Sequence, residues 1–273
     1  MPEFLKISIV GCGAIGTSLA EAILRDFRAQ AKLAGLYDID QSKALGLARR
    51  LKNPGLAAKD LNAAIKKADL VIEASSATAA FEIALKSLKS GRDVMVMSVG
   101  GLLKDYRKLE MVAARLGVRI FIPSGAISGI DALKAAKFGG IKKITLTTIK
   151  PPQAFSGVAY VIKKKINLAG IKKERVIFNG NAEAATRAFP QNINVAAVLS
   201  LAGIGPQQTK VRIIASPGLK RNMHRIEIES AAGRITTLTE NVIHPANPKT
   251  SYLAVLSAIA TLKQILEPVR IGT

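Results

Sequence analysis

Through residue 125 the apolar positions come in two alternating patterns. Short dense runs, Ile7 to Val10, Ala31 to Tyr37, Leu70 to Ile72, Asp93 to Met97 and Arg119 to Phe121, have the length of strands covered on both faces. Between them, Gln41 to Leu51, Leu61 to Ala68, Ala77 to Ser90 and Lys104 to Leu116 carry apolar residues at helical spacing. Such alternation predicts a parallel sheet clothed in helices. Beyond residue 126 the order changes. Lys142 to Ile149 alternates with period two, Asn181 to Ala188 and Asn192 to Ile204 read as helices, and strand patterns follow at Val211 to Ala215, Met223 to Glu229 and Arg234 to Val242. That order predicts a mostly antiparallel sheet with helices on one face. Ser251 to Leu266 reads as a last helix. The expected class is α/β. A parallel-sheet domain covers residues 1–125, and an α+β domain covers 126–249. The C-terminal helical stretch, 250–273, packs back on the first domain.

The turn after the first strand sharpens this picture. Gly11-Cys12-Gly13-Ala14-Ile15-Gly16 is a G-x-G-x-x-G sequence set between an apolar run and a helical pattern. Gly11 permits the tight turn, Gly13 lets the backbone approach a pyrophosphate, and Gly16 lets the helix pack closely on its strand. Phosphates would sit on the N–H groups of Gly13, Ala14 and Ile15 at the helix N-terminus. The first domain is therefore expected to be a Rossmann-type dinucleotide-binding domain. Asp38, about 20 residues beyond Gly16, ends the second strand where a carboxylate accepts hydrogen bonds from the adenosine ribose. An acid there favours NAD over NADP; a plainer role for Asp38 is to cap the next helix. In such sheets ligands lie beyond the carboxyl ends of the strands. Ala74-Ser75-Ser76, Ser98-Val99-Gly100-Gly101 and Ser124-Gly125-Ala126 each follow a predicted strand, either as ligand loops, with Ser75 among the cofactor contacts, or as ordinary turns.

Composition narrows the classes. The chain of 273 residues is 49% hydrophobic, enough for a large core and inconsistent with disorder. Its longest apolar stretches are too short to span a bilayer, and the first residues lack a secretory pattern, so a soluble cytoplasmic protein is expected. A single cysteine, Cys12, forbids an internal disulfide and a cysteine-rich metal site, and no metal is expected. Its place inside the glycine turn suits a packing residue better than a nucleophile. Lys and Arg number 40 against 19 Asp and Glu, a net charge of +21. The basic residues are scattered in short groups and aromatic residues are few, which argues against nucleic-acid binding. The same field would favour an anionic cofactor and an acidic small substrate.

Two histidines stand in distinctive settings. In Asn222-Met223-His224-Arg225-Ile226-Glu227-Ile228-Glu229, period-two alternation places His224 with Ile226 and Ile228, pointing inward. An inward imidazole is either a satisfied core group or a general acid/base near neutral pH. In His244-Pro245-Ala246-Asn247-Pro248-Lys249-Thr250-Ser251, the prolines hold the backbone extended. Lys249, Thr250 and Ser251 then offer a cation and two hydroxyls at the start of the last helix. They either bind a substrate carboxylate or serve as a solvated lysine and a helix cap by Thr250 or Ser251.

Taken together, Gly11 to Gly16, Ser124-Gly125-Ala126-Ile127-Ser128-Gly129, Phe189-Pro190-Gln191-Asn192-Ile193-Asn194-Val195-Ala196-Ala197, Asn222-Met223-His224 and Asn247-Pro248-Lys249-Thr250-Ser251 resemble the L-aspartate dehydrogenase family, in order and over nearly the whole chain. The resemblance implies NAD- or NADP-dependent oxidative deamination of L-aspartate to iminoaspartate, which hydrolyses to oxaloacetate and ammonia, as a step toward pyridine nucleotides. It implies a homodimer. By position, His224 matches the family's active-site histidine, and Ala126 and Asn192 match its dinucleotide contacts. A semialdehyde dehydrogenase is disfavoured because its nucleophilic cysteine has no counterpart outside the phosphate turn. A dehydrogenase of another small amino or hydroxy acid, and a nucleotide-sensing protein without turnover, are the alternatives.

Overall fold

The structure, a computed structural model, describes residues 4–189, 193–245 and 247–272, with backbone alone for residues 247–249. The chain divides into two compact units, residues 1–123 with 255–270 and residues 124–254 with 271–273.

The first unit alternates strand and helix: β1 (Leu5–Val10), α1 (Ala14–Asp26), β2 (Ala31–Tyr37), α2 (Gln41–Arg50), α3 (Leu61–Lys66), β3 (Leu70–Glu73), α4 (Ala77–Lys89), β4 (Asp93–Val96), α5 (Tyr106–Leu116) and β5 (Ile120–Phe121). The strands form one parallel sheet in the order β2-β1-β3-β4-β5. Its strands are solidly apolar because both faces are covered. Ile7, Ile9, Leu70, Ile72 and Met95 pack with Leu19 and Ile23 of α1 and Leu47 of α2. The intervening Val10, Val71, Val94 and Val96 pack with Ile83 and Leu88 of α4 and Leu109 of α5. Helix starts follow local chemistry. Asp40 caps α2 by accepting from the Ser42 N–H, and Asp60 caps α3 through the Ala63 N–H. Gly117 ends α5 in the left-handed conformation.

The second unit runs α6 (Ile130–Phe138), β6 (Ile141–Lys150), α7 (Ala159–Lys163), β7 (Arg175–Asn181), α8 (Ala182–Ala188), α9 (Asn194–Ala202), β8 (Lys210–Ala215), β9 (Asn222–Ser230), β10 (Gly233–Asn241), β11 (Ile243–His244) and β12 (Asn247–Ser251). Five strands make a sheet in the order β10-β9-β6-β8-β7, antiparallel except for the β6–β8 pair. Its inward positions alternate. Ile144 and Leu146, Ile226 and Ile228, and Val211 and Ile213 form one core with Leu133, Val161, Ala185 and Leu199 of the four helices. Phe155, Tyr160, Phe178 and Phe189 close that core with ring centroids 5.2–6.1 Å apart.

Five elements, α6, α7, β7, β11 and β12, are absent from the sequence pattern, and the start of the last helix differs from it. Lys249, Thr250 and Ser251 lie in β12, a strand paired with β11, and α10 (Tyr252–Leu266) begins only after them. From Val255 onward α10 belongs to the first unit, where Ala258 and Leu262 are fully buried beside β1 and β3 residues.

Candidate functional site

In the first unit the groups converge where β1, β3 and β4 end. Gly11 sits at φ +103°, and a Cβ there would collide with the backbone carbonyl of Ala74. A Cβ on Gly16 would strike the Gly11 carbonyl oxygen. Both positions therefore require glycine so that strand, turn and helix can interlock. Gly13 has a different reason: nothing lies within 4 Å of its missing Cβ, so its surface is open. No side chain caps α1 and no acid stands in its first turn, so the positive end of its dipole is suited to an anion. This cradle fits a pyrophosphate.

Asp38 adds a second layer. One carboxylate oxygen accepts from the Cys12 N–H at 2.8 Å and the other from the Asp40 N–H at 3.0 Å. Asp40 is the cap of α2, so Asp38 orients the glycine turn and presents an acid beside it. Cys12 is buried at this junction. Burial, helped by the Asp38 charge, pushes its thiol up to about 12, so it stays protonated.

Glu73, fully buried at the end of β3, is a group that the sequence analysis passed over. It accepts from the Ser75 N–H at 2.8 Å, the Ser75 hydroxyl at 2.8 Å and the Ser98 N–H at 2.9 Å. One carboxylate thereby ties together the loops after β3 and β4 and fixes Ser75, whose side chain is turned to Glu73. Burial raises its carboxyl above the ordinary range, and the serine donors pull against that rise. An acid closing an otherwise apolar strand was the available signal.

The second unit holds a separate cluster. His224 on β9 is 5% exposed, and its Nδ1 lies 3.0 Å from Thr148 Oγ1, its directly paired neighbour on β6. On its other side it pairs with Thr239 of β10. Burial, and then the charge of Lys150, lowers the imidazole to about 3, so it is neutral at physiological pH. Lys150, two residues beyond Thr148 on the same strand face, is itself lowered to about 8 by burial.

Ala126 belongs to this unit and is anchored by Asn241. That buried amide donates to the Ala126 carbonyl at 2.9 Å and accepts from the Ser251 hydroxyl at 2.6 Å. One side chain at the end of β10 thus holds both the Ala126 segment and the strand carrying Thr250. The next residues lie along β10 as well: Ser128 Oγ is 3.1 Å from Thr239 Oγ1, and Gly129 packs on Thr237. Thr250 is half-buried; the Lys249 side chain and the whole of Asn192 lie outside the described residues. His244 is buried edge-on against Tyr252, at 5.5 Å between centroids. Thr148, Lys150 and Asn241 went unnoticed in the sequence. Lys150 had a signal: it continues the Ile144, Leu146 and Thr148 face one residue past the predicted strand.

A parallel nucleotide-type sheet followed by an α+β unit is the architecture of the two-domain dehydrogenases. The family described as "Homoserine dehydrogenase, NAD binding domain" matches residues 11–123, and that described as "Aspartate dehydrogenase, C-terminal" matches residues 131–265. L-aspartate dehydrogenases of Methanosarcina mazei and Methanococcoides burtonii are 46% and 45% identical to this chain, each over 98% of it and 100% of their own length. A crystal structure of aspartate dehydrogenase from Thermotoga maritima superposes with a TM-score of 0.76 at 26% identity, covering 99% of this chain and 100% of that one. The chain belongs to the L-aspartate dehydrogenase family.

Proposed function

We propose that the protein oxidises L-aspartate with NAD or NADP, giving iminoaspartate that hydrolyses to oxaloacetate and ammonia. The observation that carries this reading is the full-length likeness to L-aspartate dehydrogenases, which takes in both units rather than the nucleotide domain alone. The bound nicotinamide supplies the hydride acceptor. The chain's residues then have distinct tasks. Gly11, Gly13, Ala14, Ile15 and Gly16 receive the pyrophosphate, Asp38 takes the adenosine ribose, and Ser75, Ala126 and Asn192 contact the remainder of the dinucleotide. The unit of residues 1–123 with 255–270 binds the nucleotide, and the unit of residues 124–254 carries the substrate. Lys249 and Thr250 hold a substrate carboxylate.

His224 handles the proton of the substrate amine or of the attacking water. Its hydrogen bond with Thr148 holds the ring in one orientation, and its neutrality at pH 7 leaves it able to accept a proton. An anionic substrate raises its basicity by offsetting the nearby positive charge. The family reading also carries a homodimer working in the cytoplasm; among the described residues no helix is long and apolar enough to cross a membrane.

The test is NADH or NADPH formation by absorbance with purified protein. L-aspartate is run beside D-aspartate, L-glutamate and L-malate, and light scattering measures the mass of the particle. Turnover confined to L-aspartate is expected. Binding of NAD without turnover of any substrate would replace the enzyme reading with that of a nucleotide sensor.

A further inference from the structure

We infer that Lys150 binds the substrate, its ammonium holding one carboxylate of a dicarboxylic acid beside His224. The inference rests on the proposed reaction and adds a residue to it. Along β6 the side chains of Ile144, Leu146, Thr148 and Lys150 point to one face, and the first two are fully buried in the core under the helices. Thr148 contacts His224 at 3.0 Å, so Lys150 occupies the next position on the face that carries the imidazole.

The position is the carboxyl end of β6, the middle strand of the sheet. β6 and β8 are the parallel pair of this sheet, and both end there, with Lys150 opposite Ala215 in the register. The Ser216 N–H bonds the Lys150 carbonyl at 2.9 Å, fixing the backbone that aims the side chain. The charge itself points to an anionic ligand. An ammonium on the apolar face of a strand is costly to desolvate, and the cost falls when an anion is bound against it. Lys150 already shows that cost in its lowered proton affinity, and its charge is felt at His224. A substrate with two carboxylates needs cationic partners at more than one point, and Lys249 supplies at most one. A carboxylate on Lys150 would also neutralise the charge that depresses His224, so that binding the substrate makes the imidazole a better base.

The test compares wild type, Lys150→Met and Lys150→Arg. Succinate, a dicarboxylate without an amine, is titrated calorimetrically into protein saturated with NAD, and KM and kcat for L-aspartate are measured in parallel. Thermal melting and the Kd for NAD report whether each variant is folded. The expected result is a rise of tenfold or more in succinate Kd and aspartate KM in Lys150→Met, with NAD affinity within twofold of wild type. Lys150→Arg, which keeps the charge, should recover part of the loss. Unchanged succinate affinity in folded Lys150→Met would overturn the inference, as would a fall in kcat alone. If Lys150→Met does not fold, the arginine variant decides: succinate affinity lost despite the retained charge counts against a carboxylate contact. The succinate arm needs no turnover. A wild type that binds succinate through Lys150 yet leaves aspartate untouched would refute the reaction and keep the carboxylate site.

Discussion

The two units build their functional groups in opposite ways. In the first, the working surface is backbone, written consecutively from Gly11 to Gly16 and braced by Asp38, with Glu73 tying the neighbouring loops after β3 and β4. In the second it is side chains drawn from distant strands, with Thr148 and His224 lying 76 positions apart and Ala126 and Asn241 lying 115 apart. A backbone cradle tolerates changes of side chain as long as the turn geometry survives. A side-chain cluster depends on each chemical group and on the sheet register that aligns them.

The largest effect separating the two kinds of site should come from His224→Ala. With the protein folded and NAD bound normally, kcat should fall by about 10²–10⁴-fold, the usual contribution of a positioned acid/base. Near-normal turnover would remove His224 from the chemistry. Gly11→Ala attacks the other kind of site. Its Cβ meets the Ala74 backbone at a left-handed φ, so it should cost about 3 kcal/mol of stability and weaken NAD binding at least tenfold. Denaturant melts and fluorescence titration measure both, and a variant that binds NAD as wild type would break the claim that backbone shape carries that site.

Asn241→Ala tests whether the second unit is held by single side chains. It leaves the Ala126 carbonyl and the Ser251 hydroxyl without their amide partner, and should cost about 2 kcal/mol in chemical denaturation. Between pH 7 and pH 5.5 the smallest effect is one of pH. His224 has a folded-state pKa of about 3, against an ordinary value of 6.5, so below pH 6.5 the unfolded chain takes up a proton that the folded one refuses. Stability should therefore fall by about 1.4 kcal/mol per pH unit from 6.5 downward toward 3, on top of whatever other groups contribute. Denaturation at pH 7 and pH 5.5 in wild type and His224→Gln isolates the difference; equal slopes in the two proteins would mean that the imidazole is not buried neutral.

Local pattern and tertiary assembly also divide what can be read from the sequence. The parallel sheet was legible because both its faces are apolar, and the glycine turn because its geometry excludes other residues at Gly11 and Gly16. The inward setting of His224 followed from period two alone. β7 escaped notice because it is an edge strand with apolar residues only in its middle, and α7 because five residues are too few to show a helical period. Lys150, Glu73 and Asn241 are single polar residues at the ends of strands. Their meaning comes from loops and strands that arrive from elsewhere in the chain, which no local pattern records.

The placement of α10 also bears on how the protein folds. Ala258 and Leu262 fill the same core as Ile7 and Ile9, so one face of the nucleotide sheet is completed by residues made about 250 positions later. During synthesis the glycine turn emerges early but rests on a sheet with one apolar face only partly covered, by α1 and α2, until the last helix leaves the ribosome. Contacts so distant in sequence are slow to form. Truncation within α10 should expose that face and turn a folding delay into aggregation.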